Sequence, residues 1–411
     1  MTGGRDGARG AARPAERDAW RADLDARVRA WMREAARAPA FARDDARFEA
    51  LALELFAFQL AHCAPYARYC GALGRTRENV RGWRDVPAVP TGAFKELRIA
   101  SFEPARTVKV FRTSGTTTQQ RGELALDTLA LYEASLLPTL SHLLFPDVAG
   151  RMRMRVLAPS PAEAPDSSLS HMFGCLLAAR GTDASGFDVR DGALDAASLE
   201  RALDDARRAR EPVALLGTAF AFVHWLDARA GTAATPLPPG SRAMETGGFK
   251  GRAREVPRDE LHAAIAAALG LPRSHVVNQY GMTELGSQFY DASLADPGGP
   301  LRKLGPPWAR VRAIDPATGA DVAPGEVGVL VVHDLANTGS VAAIETADLG
   351  RIVAAGSDAA SARHGEGFVV LGRSPGAEER GCSIAADAML GGEGAGAGPK
   401  PGGEGAGESG S

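Results

Sequence analysis

Between residues 154 and 281 short apolar runs alternate with helix-patterned stretches, and this alternation constrains the fold more than any other feature of the chain. MRVLA (154–158), VALLGT (213–218), AMETGG (243–248) and HVVNQYG (275–281) read as strands. Helical stretches at 127–145, 168–180, 219–229 and 258–269 precede or separate them. Pro257 and Gly270 bracket the last helix, a residue that starts helices before it and one that ends them after it. Strands alternating with helices predict a layered α/β core. From about Val311 the rhythm changes. VRAI, a turn at Thr318-Gly319, VGVLVVHD, GRIV and GFVVLG follow one another with no intervening helix, which predicts a smaller antiparallel β unit abutting the α/β part. Upstream, Trp20, Leu24, Val28 and Trp31 within 18–37, then Phe48, Leu51, Leu55 and Phe58 within 47–61, mark two amphipathic helices.

A chain of 411 residues, 45% hydrophobic and 24% charged, can bury one large core or two unequal domains. A net charge of −3 gives no electrostatic reason to expect nucleic acid. The four cysteines (Cys63, Cys70, Cys175, Cys382) form no C-x-x-C pair, so neither a zinc framework nor a disulfide scaffold is predicted, and a reducing cytoplasm is the expected compartment. No apolar run reaches the roughly 20 residues of a membrane span. The Arg/Ala/Gly-rich stretch 1–17 reads as a disordered leader and the Gly/Glu-rich stretch 391–411 as a flexible tail.

One segment carries chemistry. The strand candidate VKVF runs into Thr113-Ser114-Gly115-Thr116-Thr117-Thr118, then Gln119, Gln120, Arg121 and Gly122. Hydroxyls and backbone N–H groups beside a glycine are what a polyphosphate requires. The pattern is not a Walker loop, and a polar surface turn has the same composition. Tyr280-Gly281-Met282-Thr283-Glu284 ends a strand candidate, where ligands of open α/β sheets gather. Glu284 there could hold Mg²⁺, though taken alone it reads equally as a solvated loop acid. Asp348 in ETADLGRI and Arg373 in VLGRS each follow or end short strands, where they could meet ribose hydroxyls and phosphate oxygens.

In this order, TSGTTTQQRG, ETGG, YGMTE, ADLGRI and GR-x-x-G resemble the core motifs of the adenylate-forming superfamily. The closer resemblance is to the acyl-protein synthetases, the LuxE-like family. It is carried by VPAVPTGAFKE (86–96), ETGGFKGR (245–252), NQYGMTELGSQFYD (278–291) and LGRSPGAEERGCS (371–383), and it spans about residue 45 to 390. The resemblance implies the α/β large domain of an adenylate-forming enzyme, layered sheets plus a β-rich subdomain, with the usual mobile C-terminal domain missing or strongly reduced. On that reading residues 18–373 form the domain, with the β-rich subdomain at about 305–373, and 374–390 are a vestigial C-terminal piece.

The resemblance also implies roles. Thr113, Ser114, Gly115, Thr116 and Thr117 would wrap the ATP phosphates, with Arg121 where many relatives have lysine. Gly247 and Gly248 would line the adenine pocket, Tyr280 and Gly281 would flank the base, and Thr283 would touch the α-phosphate. Glu284 would ligate Mg²⁺, Asp348 would bind the ribose hydroxyls and Arg373 would sit near the ribose. The implied reaction is attack of a carboxylate on the α-phosphorus of ATP, giving acyl-AMP and pyrophosphate. Lys250 or Lys95 could replace the lysine that relatives carry on their C-terminal domain, and Cys382 is the implied acyl acceptor, or else a packed thiol.

The substrate that the resemblance implies is a carboxylic acid, fatty or otherwise apolar, and the implied partner is an acyl-accepting reductase or carrier protein, or CoA. An acyl- or aryl-CoA ligase of the phenylacetate type would use the same ATP residues, and a non-catalytic nucleotide-binding regulatory module is the reading from another class. The eight histidines show no H-E-x-x-H spacing, and His171 reads as a helix-surface residue. Phe220, Phe222 and Trp225 read as core or as the wall of an acyl pocket.

Overall fold

The structure is a computed structural model that describes residues 14–38, 41–114, 120–247, 256–357, 365–373 and 389. Helix α1 (Pro14–Arg37) starts four residues before the point where the sequence suggested that the leader ends. Proline in the first turn lacks only an N–H that would have no helical partner, and Glu16 beside it favours the positive end of the helix dipole. Helices α2 (Asp45–His62, capped by Asp44) and α3 (Ala64–Ala72) follow. Next come the short strand β1 (Val89–Pro90) and the one-turn helix α4 (Ala93–Glu96). Strands β2 (Lys109–Arg112) and β3 (Glu123–Leu126) then form an antiparallel hairpin in a sheet of their own.

The α/β section comprises α5 (Ala130–Leu143), β4 (Arg153–Leu157), α6 (Ser168–Arg180), β5 (Gly186–Phe187) and the small hairpin β6 (Val189–Arg190) with β7 (Ala193–Leu194). It continues through α7 (Ala196–Ala209), β8 (Val213–Thr218), α8 (Ala219–Ala228), β9 (Arg242–Thr246), α9 (Arg258–Leu269) and β10 (Val276–Tyr280). Gly270 closes α9 at φ +62°, a left-handed conformation that a side chain would strain, and a Cβ there would also strike Pro236.

Why these strands are so apolar follows from their two covered faces. Along β8, Val213 and Leu215 point to α7, α8 and α9, while Ala214 and Leu216 point to α5 and α6. Neighbouring strands divide in the same way: Ala243 and Val276 go to one side, Met244 and Val277 to the other. A parallel strand buried on both faces reads as a continuous apolar run. Phe222 and Trp225 are fully buried in the α7–α9 layer, so they belong to the core.

Strands β11 (Phe289–Asp291) and β12 (Lys303–Leu304) lead to β13 (Ala309–Ile314), β14 (Gly328–Asp334), β15 (Ala343–Val353) and β16 (Gly367–Arg373). The sheet order is β13-β14-β15-β16-β12-β11-β10-β9-β8-β4-β5, with β1 beside β15. The β-rich unit thus continues the main sheet through two very short strands instead of packing against it as a second sheet. From β10 to β5 the pairing is parallel, and from β11 to β13 antiparallel.

The long strand β15 departs from regular pairing on both sides. Against β14 the partners step from Val331↔Glu345 to Val329↔Leu349, and against β16 from Gly350↔Val370 to Leu349↔Gly372, so Leu371 is an extra residue. Such bulges twist a strand and re-aim its side chains. Among the described residues no helix is long and apolar enough to cross a membrane.

Candidate active site

Of the sequence-predicted residues that the structure describes, Gly247, Tyr280, Gly281, Thr283 and Glu284 lie where the sheet changes from parallel to antiparallel. ETGG leaves the C-terminal end of β9 and YGMTE that of β10, the edge at which parallel sheets bind ligands. Gly247 adopts φ +78° with nothing within 4 Å of where a Cβ would stand, so conformation, and not crowding, is what asks for glycine there. The Thr246 hydroxyl donates to the Gln279 carbonyl at 3.2 Å and ties the two strand ends together. Gly248 and Lys250 lie outside the described residues, as does Cys382.

Tyr280 hands the site across the sheet. Its hydroxyl donates to Asp348 Oδ2 at 2.8 Å, and its ring packs edge-on against Phe368, centre to centre 5.6 Å. Burial, with the Asp348 carboxylate close by, raises the Tyr280 phenol well above its ordinary value, so it remains a donor. Asp348 faces Arg373 across the β15–β16 ladder, Nε to Oδ1 at 3.9 Å. The expectation that Asp348 follows or ends a short strand is corrected: it lies inside the 11-residue β15, at the stretch where register shifts on both sides. Its backbone N–H donates to Thr346 Oγ1 at 3.1 Å, and that hydroxyl in turn donates to Leu330 O at 2.8 Å, so side-chain bonds hold the irregular backbone. Arg373 does end β16.

The hydroxyl-rich segment joins β2 to β3. Thr113 N donates to Gly122 O at 2.9 Å, and Gly122 N donates to Thr113 Oγ1 at 2.9 Å, which closes the base of the loop. Arg121 pairs with Asp166 at 2.8 Å and donates to Thr113 O at 2.5 Å, so its guanidinium pins the loop to the segment before α6. Gln120 Nε2 reaches Lys95 O at 2.7 Å. Ser114 is described, whereas Gly115, Thr116 and Thr117 are outside the described residues.

Glu284 brings the loop and the sheet together. It is 5% exposed and Thr283 9%, so Glu284 is not a solvated loop acid. A Cβ added at Gly122 would stand 3.5 Å from Glu284 Oε1 and 3.2 Å from Thr113 Cγ2, which places the carboxylate at the loop's base. The Glu284 carbonyl accepts Asn337 Nδ2 at 2.7 Å, and Gln59 Nε2 donates to the Asn337 carbonyl at 2.8 Å. Asn337 was missed from sequence, because nothing in HDLANTGS distinguishes a buried amide from a turn residue. Lys303 was missed as well. It is buried, 2.9 Å from Asp291 and 3.1 Å from the Asn278 carbonyl. Burial alone would raise Asp291; Lys303 and the Asn278 N–H outweigh it and hold the carboxyl below its ordinary value.

A solved open conformation of 2-hydroxyisobutyryl-CoA ligase, in complex with 2-HIB-AMP and CoA, superposes at a TM-score of 0.57 and 14% identity, over 81% of this chain and 71% of that one. The thioesterification state of the same ligase gives 0.54 at 15% identity, over 88% and 69%. Together with the gathered motifs, that likeness makes the fold the one used by adenylate-forming enzymes. Residues 189–390 match the family described as acyl-protein synthetase, LuxE. The long-chain-fatty-acid–luciferin-component ligase of Aliivibrio fischeri is 22% identical over 305 residues, 73% of this chain and 78% of that protein.

Proposed function

We propose that the chain activates a carboxylic acid with ATP and passes the acyl group to a protein thiol, as an AMP-forming acyl-protein synthetase. The observation that carries this reading is the meeting of the Tyr280–Asp348–Arg373 set with Glu284 and the base of the hydroxyl-rich loop at one seam of the sheet. In the first step a carboxylate oxygen attacks the α-phosphorus, the bond from that phosphorus to the bridging oxygen breaks, and pyrophosphate leaves. No general base is needed, since the nucleophile is already ionised, and catalysis rests on position and charge.

Each residue then has a task. Asp348 accepts the ribose hydroxyls while Tyr280, held to it as a donor, fixes its rotamer and flanks the base with Gly247, Gly248 and Gly281. Arg373 adds a charge near the ribose. Thr283 donates to the α-phosphate, and Ser114 with Gly115, Thr116 and Thr117 surrounds the outer phosphates. Thr113 and Arg121 set the base of that loop, their hydrogen bonds going to its own backbone and to Asp166. The donor set at Glu284 fits Mg²⁺, which takes one or two protein carboxylates with phosphate oxygens and water. When bound, Mg²⁺ supplies neutralisation of the phosphate charge.

In the second step a thiolate sulfur attacks the acyl carbon, the carbon–oxygen bond to AMP breaks and AMP departs. Cys382, inside the family-matched span, is the proposed first acceptor. The acid is a long-chain fatty acid, the class named for the Aliivibrio fischeri ligase.

Acid-dependent ATP–pyrophosphate exchange, over acids from acetate to palmitate and benzoate, tests the first step. Exchange with none of them leaves only nucleotide binding and sinks the reading. Labelled palmitate with ATP, followed by a denaturing gel, tests the second. Label that persists in Cys382→Ser, or that appears only on added CoA, moves the acceptor elsewhere.

A further inference from the structure

We infer that Glu133, His171 and Cys175 form a binding site for a thiophilic divalent cation of the Zn²⁺ type, one that staples α6 to α5. His171 and Cys175 stand at i and i+4 on α6, so their side chains leave one face of the helix a turn apart. Glu133 reaches both from α5. His171 Nε2 lies 3.1 Å from Glu133 Oε1, and Cys175 Sγ lies 4.0 Å from the same oxygen. All three donor atoms fall within 4.8 Å of one another. A tetrahedral zinc with bonds of roughly 2.0–2.3 Å sets its ligand atoms about 3.3–3.6 Å apart, so small side-chain rotations complete the set.

The donor types choose the metal. An imidazole, a thiolate and a carboxylate form a borderline-soft set that suits Zn²⁺, whereas Mg²⁺ and Ca²⁺ prefer oxygen alone. This cation is therefore chemically distinct from the Mg²⁺ proposed at Glu284. The His171 ring is held beside Phe111 and Tyr132, their centres 5.5 and 5.8 Å away. Its side chain keeps 16% exposure and that of Glu133 46%, so packing orients the ring while one side stays open to entering ions. Without a cation, His171 and Cys175 are both hydrogen-bond partners of the same Glu133 oxygen, which holds the three donor atoms together.

A cysteine binds a cation as the thiolate, so its proton must leave when the metal enters. Binding forms the metal–sulfur bond and releases that proton to solvent, while His171 binds as the neutral imidazole. Sequence patterns gave no warning. The spacing is H-x-x-x-C, and the third ligand lies 38 residues upstream of His171.

Co²⁺ titration of the whole chain provides the test. The expected result is one equivalent bound, with tetrahedral d–d bands and a near-ultraviolet thiolate-to-cobalt charge-transfer band displaced by Zn²⁺. Calorimetry in buffers of different ionisation enthalpy should report about one proton released. Cys175→Ser should lose the charge-transfer band, and His171→Ala and Glu133→Gln should each weaken binding at least about tenfold. Zn²⁺ should raise the Tm of the wild type and leave that of Cys175→Ser unchanged, while the metal-free Tm values agree. Absence of the charge-transfer band in the wild type overturns the inference, whatever the variants do. So does its persistence in Cys175→Ser, which would assign the sulfur to another cysteine.

Discussion

The two halves of the main sheet are built on opposite principles. In β8 and β9 all but one residue is buried, because helices cover both faces. In β15 and β16, buried positions give way to half-buried and exposed ones toward Asp348 and Arg373. The parallel half is a close-packed frame in which removing a Leu216 side chain to alanine costs about 2–5 kcal/mol. The antiparallel half buries all of β14 but leaves the ends of β15 and β16 partly open, where Asp348 and Arg373 stand. What the contrast teaches is that the frame places the ends of β9 and β10, and the bulged antiparallel strands bring charged groups to meet them.

The sharpest way to break this division is at Glu284, which belongs to the frame's edge yet faces the loop. Glu284→Gln should lower acid-dependent pyrophosphate exchange on the order of 10²- to 10³-fold with little change in Tm. Exchange at wild-type rate would remove it from the site.

Asp334, at the end of β14, probes the antiparallel half as structure. It is fully buried, accepts Ser287 Oγ at 2.8 Å and Ala336 N at 3.0 Å, and burial raises its carboxyl to about 6. The folded state therefore holds a proton that the unfolded chain, with an ordinary carboxyl near 3.8, has already lost. Its contribution to stability is full below about pH 4 and falls as pH rises to about 6, by roughly 3 kcal/mol. Urea unfolding from pH 4 to 7 should show that decline in the wild type and a flatter profile in Asp334→Asn. Equal slopes would assign the decline to other groups.

Asp348→Asn should raise the KM for ATP about tenfold to thirtyfold, or 1.4–2 kcal/mol, while Tm holds. A change in kcat alone would place Asp348 outside nucleotide binding. Tyr280→Phe removes one hydrogen bond to that carboxylate and should raise the same KM only a few-fold, about 1 kcal/mol. If it equals Asp348→Asn in effect, the tyrosine itself touches the nucleotide.

The halves also differ in how plainly they were written in the sequence. VALLGT coincides with β8 residue for residue, and 258–269 with α9, because two-sided burial and helix end signals are local. β15 was visible only as GRIV, since Glu345, Thr346 and Asp348 interrupt its apolar pattern. Polar groups inside a strand are what hides it. The joining strands β11 and β12 have three and two residues, too few to show any period. Buried Asn337, Lys303 and Asp334 could not be told from surface residues, because their partners are distant in the chain: Asn337 meets Gln59, 278 residues away.

The extra residue at Leu371 has a consequence for how the site tolerates change. Side chains along a regular strand alternate faces, and a bulge lets one strand carry a residue that its partner does not match. With Leu371 present, Arg373 stands opposite Asp348. Because the bulge absorbs Leu371 between the pairs Gly350↔Val370 and Leu349↔Gly372, a chain without it would still set Arg373 across from Asp348 and would lose the local twist and the aim of the arginine instead. A one-residue gap between Val370 and Arg373 would therefore read as harmless by pairing and still re-aim the charge that faces Asp348.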